Sequence, residues 1–144
     1  PIFRLRKEVI EVEAVSGNLD QVTGFVEEQV LQMGCPPKLA MQIILAVEEA
    51  FVNVVDYAYA PEIGMCRIAV ETAQLDEGRG DAVITFIDSG KAFNPLLKEN
   101  PDITLSVDER QIGGLGIYMV KEIMDSVVYE YKDAENHLTM VKSW

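Results

Sequence analysis

Cysteine, histidine and basic residues are all scarce in this 144-residue sequence, and each scarcity removes a class of function. The two cysteines are Cys35, in Gly34-Cys-Pro-Pro37, and Cys66, in an apolar stretch. That spacing matches no metal motif. It makes no disulfide framework either, so two reduced thiols in a cytoplasmic setting are expected. Lys and Arg number 12 against 24 Asp and Glu, for a formal net charge of −12. A nucleic-acid binder needs a basic footprint, and an anionic membrane surface repels an acidic protein. Neither is expected as a partner. No apolar run reaches the roughly 20 residues of a membrane-spanning helix. The opening Pro1-Ile-Phe-Arg-Leu-Arg-Lys7 has no apolar core of a signal peptide, so none is expected.

What is present suits a globular domain. Hydrophobic residues make up 49% and charged residues 25%, an ordinary balance. No low-complexity linker and no internal repeat divides the chain, so residues 1–144 read as one domain. Residues 2–14 read as a strand, with partial alternation through Phe3, Leu5, Val9 and Val12. Asn18 or Asp20 offers a cap to a helix whose Leu19, Val22, Val26, Val30 and Met33 recur at three or four. Pro37 opens a second helix with two apolar faces, Leu39-Ile43-Ala46-Ala50-Val54 and Ile44-Val47-Phe51-Val55. Such a helix is buried on more than one side, so its polar Glu48, Glu49, Asn53 and Asp56 need a reason. Met65–Leu75 and Ala82–Ile87 read as a hairpin around 76–81. Residues 88–114 are irregular and long enough to suggest a functional lid. A short helix over 115–124 and a closing hairpin, 127–131 with 137–142, complete an α+β pattern with helices on one face of the sheet. Met33, Met41, Met119 and Met124 fall at core-like spacings and read as packing. Tyr57 and Tyr59 are read mainly as packing too. His137, the lone histidine, reads as a hairpin residue.

Three short motifs carry chemistry. Glu49-Ala-Phe-Val-Asn53 places a carboxylate and an amide one helical turn apart on one face. The amide oxygen is a hard ligand of the kind Mg²⁺ accepts, and the carboxylate can take a proton from an attacking hydroxyl. Asp88-Ser-Gly90-Lys-Ala-Phe93-Asn-Pro95 sits at a strand end, where the carboxylate can accept from an exocyclic amine. Gly113-Gly114-Leu115-Gly116-Ile117 opens a helix and exposes backbone N–H groups to an anion. Each alone also fits a plain structural reading: a helix-face pair, a common Asp-Ser-Gly turn, a helix cap. Their order within one short chain is far more specific.

That ordered set resembles the GHKL superfamily of ATP-binding domains over nearly the whole chain. In wording it is most similar to the stand-alone anti-sigma-factor serine kinases. Glu49–Tyr59 resembles the family's N box, Asp88–Pro95 its first glycine box and Gly113–Val120 its second. The resemblance implies a Bergerat-type two-layer sandwich, a mixed but mostly antiparallel sheet with an ATP lid over about residues 91–112. It implies ATP and Mg²⁺ as cofactors. Glu49 would be the general base and Asn53 the Mg²⁺ ligand. Asp88 would hold the adenine amine and Gly90 make room for the ring, with Phe93 beside them. Gly113, Gly114, Leu115 and Gly116 would wrap the phosphates, Arg110 would reach a phosphate, and Thr139 would stand near the adenine. The sequence departs from the pattern at Ala92, where relatives often have glycine. It departs again at Asp56, where they often have His or Lys; a carboxylate there is unfavourable near phosphates unless it faces away.

The implied function is an ATP-dependent serine kinase that phosphorylates a small anti-sigma-antagonist-like protein and switches to a sigma factor or similar target, possible also as a homodimer. A non-catalytic nucleotide-binding switch module is the alternative, with Asp56 as the feature that favours it. A catalytic fragment of a sensor histidine kinase is a third reading, for which the sequence shows no phospho-accepting helical domain.

Overall fold

Period-two burial builds the sheet. In the computed structural model, which describes residues 3–97 and 114–144, β2 (Met65–Asp76) buries Cys66, Ile68, Val70 and Thr72 while the residues between them face the other way. β3 (Arg79–Asp88) does the same with Ala82, Ile84, Phe86 and Asp88. With β1 (Arg4–Glu13), β4 (Ser126–Lys132) and β5 (Glu135–Ser143) they form one sheet in the order β1-β2-β3-β5-β4. Every pairing in it is antiparallel, where a mixed sheet was expected. The reason is the order of connections: β2–β3 and β4–β5 are direct hairpins, α1 and α2 return the chain from β1 to β2, and β5 folds back from β4 into the place between β4 and β3.

One face of the sheet carries α1 (Leu19–Gln32), α2 (Pro37–Tyr57) and α3 (Gly114–Ile123), with α2 between the other two. α2 buries Ala40, Ile43, Ala46, Val47, Ala50, Phe51 and Val54, a wide apolar band of the kind a central helix needs. Pro37 occupies its first turn, where the missing N–H costs nothing. The result is the two-layer α+β sandwich the sequence suggested.

Three details differ from the sequence reading. On β1 the inward phase is Ile10 and Val12, whereas Phe3, Leu5 and Val9 are exposed on the open side; the run is apolar on both phases, so composition alone did not fix the face. Met41 is 67% exposed on α2 and is not a core residue. The last hairpin is tighter than expected. Asp133 and Ala134 adopt φ of 53° and 60°, the positive values a two-residue turn with the sheet's twist requires, so β4 and β5 run up to either side of it. Cys35 and Cys66 are buried free thiols, and burial pushes them up to about 11 and about 12. Both therefore stay protonated at neutral pH and lack the thiolate that redox or metal chemistry needs. Among the described residues no helix is long and apolar enough to cross a membrane.

Candidate functional site

α2 presents the first motif along its length. Glu49 and Asn53 lie one turn apart, and Tyr57 one turn further. At 1.5 Å per residue, Glu49 to Tyr57 spans about 12 Å of helix. The C-terminal end of this line meets the end of β3, where a cleft is lined by Asn53, Tyr57, Asp88, Lys91, Phe93, Tyr129 and Asn136, among others. Tyr57 and Phe93 stack there with centroids 4.9 Å apart at 23°. The free volume left is about 30 Å³, room for a water or two.

At the β3 end the carboxylate of Asp88 is 7% exposed. Its Oδ1 accepts from the Gly90 N–H at 2.9 Å and from Asn136 Nδ2 at 2.9 Å. Gly90 is held here by sterics: a Cβ would strike the backbone of Ala58, whose carbonyl accepts from Lys91 N at 3.0 Å. The missing side chain thus makes room for the end of α2. Tyr59 ties the same corner, donating to Met65 O at 2.6 Å and accepting from Ser89 N at 2.8 Å.

At the other end the polar groups lack such partners. Asn53 Nδ2 reaches Glu49 O at a long 3.4 Å, and Asn53 Oδ1 is buried without a hydrogen-bond partner among the described residues. A buried amide oxygen left unpaired costs roughly 1–3 kcal/mol. Burial, and then the neighbouring Glu48 carboxylate, raise the Glu49 carboxyl above the ordinary glutamate value. Gly116, in the first turn of α3, abuts it: a Cβ on Gly116 would strike Glu49 Oε2. The helix N-terminus and the carboxylate thus share one space.

Among the described residues, Asn53 has the chemistry to fit Mg²⁺. Its orphaned oxygen is a hard acceptor in want of a partner. Among the described residues no group of three or more His, Cys, Asp or Glu could hold a metal, so the remaining ligands would come from phosphate and water, the usual arrangement for this ion.

The structure brings Asn53, Asp88 and Phe93 to one cleft and sets Glu49 beside Gly116. Gly114 and Leu115 lie in the first turn of α3. Arg110 and Gly113 lie outside the described residues, as does most of the lid assigned to 91–112. Thr139 is elsewhere. It pairs with Thr85 in the sheet and its hydroxyl meets that of Thr85 at 3.3 Å. Both point away from the helices, in the phase opposite to the buried Leu138 and Met140. Asp56 is exposed and is not part of the cleft lining. Sequence reasoning missed Asn136, Tyr129 and Lys91. For Asn136 the signal was present: it shares the inward phase of Leu138 and Met140, and a polar residue there must be satisfied inside.

The family model for the histidine kinase-like ATPase domain matches residues 12–142. The chain is also 24% identical over 135 residues to the serine/threonine-protein kinase BtrW of Bordetella bronchiseptica, covering 94% of this chain and 92% of that protein.

Proposed function

The chain belongs to the histidine kinase-like ATPase family, and we propose that it is a protein serine kinase of the anti-sigma-factor type, transferring the γ-phosphoryl group of ATP to a small antagonist protein and switching partners as a result. The observation that carries this reading is the unpartnered Asn53 oxygen one turn from Glu49, with an amine-accepting carboxylate at the far end of the same helix. The line from Tyr57 to Glu49 suits a nucleoside triphosphate laid along α2, base against Asp88 and phosphates under the first turn of α3. The similarity to a protein named as a serine/threonine kinase supports the acceptor type.

In this reading Glu49 takes the proton of the acceptor hydroxyl as its oxygen attacks the γ-phosphorus and ADP leaves. Its raised proton affinity suits that task better than an ordinary surface glutamate would. Asn53 holds the metal that accompanies the nucleotide; Mg²⁺, when bound, offsets phosphate charge. Gly114 and Gly116 leave backbone N–H groups of the helix start open to a phosphate. Arg110, Gly113 and the lid over 91–112 are assigned to the phosphates on the motif alone. The cytoplasmic setting, the sigma-factor-like second partner and a homodimer belong to the same proposal. Asp56, turned to solvent, does not load the cleft with a further charge, so the feature that favoured a non-catalytic module falls away.

The test is calorimetric titration with ATP and ADP, with and without Mg²⁺, followed by transfer of label from γ-labelled ATP to a serine of a co-purified partner. Magnesium-dependent ATP binding and labelled phosphoserine are expected. A parent protein that binds no nucleotide sinks the proposal; one that binds ATP but labels no partner leaves only the switch module.

A further inference from the structure

Asn136, the second residue of β5, is 6% exposed and has no role in the reading above. Its amide is the hub of the base end of the cleft. Oδ1 accepts from Phe93 N at 3.1 Å and from the Tyr129 hydroxyl. Nδ2 donates to Asp88 Oδ1 at 2.9 Å, to Lys91 O at 2.9 Å and to Gly90 O at 3.5 Å. The amide cannot be turned over. A backbone N–H only donates and a backbone carbonyl only accepts, so Phe93 fixes the oxygen while Gly90 and Lys91 fix the nitrogen.

This orientation dictates what Asp88 can offer. Its Oδ1 receives two N–H donors, from Gly90 and Asn136, which lock the carboxylate in place and use that oxygen as an acceptor twice over. Oδ2 is what remains for a ligand, and it offers lone pairs. A ring-bound amine meets it as a donor. A ring carbonyl in the same place sets lone pair against lone pair in a site sheltered from water, where the mismatch is expensive.

We propose that Asn136 is the positioning residue by which this site selects a 6-amino purine over a 6-oxo purine, holding Asp88 as a fixed acceptor through the Nδ2–Oδ1 hydrogen bond. The inference rests on the ATP-binding reading. In this proposal Asn136 acts through Asp88 and through residues 90–93, which it ties to β4 and β5.

The experiment measures the dissociation constants of ATP and ITP, which carry a 6-amino group beside a bare N1 and a 6-oxo group beside an N1–H respectively, for the parent, Asn136→Leu and Asn136→Thr, with a thermal melt of each. The parent is expected to favour ATP by about 100-fold or more, as sites built around a substrate's polar group do. Asn136→Leu, with the donor removed at similar size, is expected to narrow that ratio about tenfold or more, chiefly by weakening ATP. Asn136→Thr, which keeps one hydroxyl, is expected to fall between. A structural role alone would lower both affinities together, and an unchanged ATP:ITP ratio in a folded variant overturns the proposal. Where Asn136→Leu does not fold, Asn136→Thr decides by the same ratio. A parent that binds ATP and ITP equally overturns this inference and leaves the ATP reading standing; a parent that binds neither overturns both.

Discussion

The two ends of the line from Glu49 to Tyr57 along α2 are built on opposite principles. At its C-terminal end the groups around Asp88 Oδ1 are engaged with one another. Asp88, Asn136, Tyr129 and the backbone of residues 90–93 satisfy one another. One turn earlier, Asn53 Oδ1 is buried and unpaired among the described residues, and two turns earlier the Glu49 carboxyl is pushed up by burial and by Glu48. A closed network fixes geometry in advance and cuts the ordering cost of binding. An open one stores unfavourable energy that a ligand can relieve. The groups proposed to recognise the base are thus held in place in advance, while those proposed for phosphate, metal and proton transfer are incomplete until something arrives.

Glu49→Gln attacks the open end at its most consequential atom. Phosphoryl transfer is expected to fall by about 10²–10⁴-fold, the usual worth of a general base, with ATP affinity held within a few-fold. Loss of ATP binding in step with transfer would break the comparison, because it would make Glu49 a binding group. The raised carboxyl gives a pH signature. A base must be unprotonated to act, so the rate rises with pH through a value above that of ordinary glutamate and then levels. Stability runs the other way. The folded state holds this proton more tightly than the unfolded chain. The favourable contribution is therefore present below the unfolded value and is lost as pH rises through the folded one. Glu49→Gln is accordingly expected to melt higher than the parent at neutral pH, as read by thermal denaturation across pH.

Two glycines sharpen the contrast by their different neighbours. At Gly90 an added Cβ meets the Ala58 backbone, which cannot step aside. Gly90→Ala is expected to cost about 1–3 kcal/mol of stability, as overpacking does, in a urea melt. At Gly116 the Cβ meets the end of the Glu49 side chain, which can rotate. Gly116→Ala is expected to fold nearly as stably as the parent yet lose about tenfold or more in transfer, a misplaced-group effect. Equal stability losses in both would say that the Glu49 end is as rigid as the Asp88 end.

The same contrast explains what the sequence revealed. The open end was legible because its residues are local: Glu49 and Asn53 are i and i+4 on one helix, and glycines before a helix advertise an anion site. Helix and strand order was legible for the same reason, since periodicity is a local property. The closed end was only half legible. Asp88 and Gly90 stood out at a strand end, but their partner Asn136 lies 48 residues from Asp88 and is joined to it by strand register, Asp88 opposite Asn136. Register is a tertiary fact. The face of β1 was missed on similar grounds, because Phe3, Leu5 and Val9 are as apolar as the phase that is buried.

Asn53→Ala separates ligand binding from folding at the open end. Removing this amide forfeits only the long Nδ2 contact with Glu49 O and takes away an unpaired oxygen, so stability should stay within about 1 kcal/mol of the parent. Magnesium-dependent ATP affinity should drop about tenfold, the lower range for loss of a metal-site group, while metal-free binding is unchanged. A large stability loss would mean that the Asn53 oxygen has a partner in the folded protein and that this end is not open.

Thr139→Val is expected to do least, and it marks where the closed end stops. The motif suggested a hydroxyl beside the base, but Thr139 sits on the far side of the sheet, bonded to Thr85 across β3 and β5. Its neighbours along β5, His137 and Val141, share that outer phase, whereas Asn136, Leu138 and Met140 turn inward. A valine keeps the shape and removes one neutral hydrogen bond between half-buried groups, so the expected loss is about 0.5–1.5 kcal/mol or less. ATP affinity and the ATP:ITP ratio should match the parent. If instead Thr139→Val narrows that ratio as Asn136→Leu is expected to, then the hydroxyl pair on the outer face sets the register that brings Asn136 to Asp88. The base end would then extend through the sheet, and its pre-formed order would belong to the strand pairing and not to the buried amide alone.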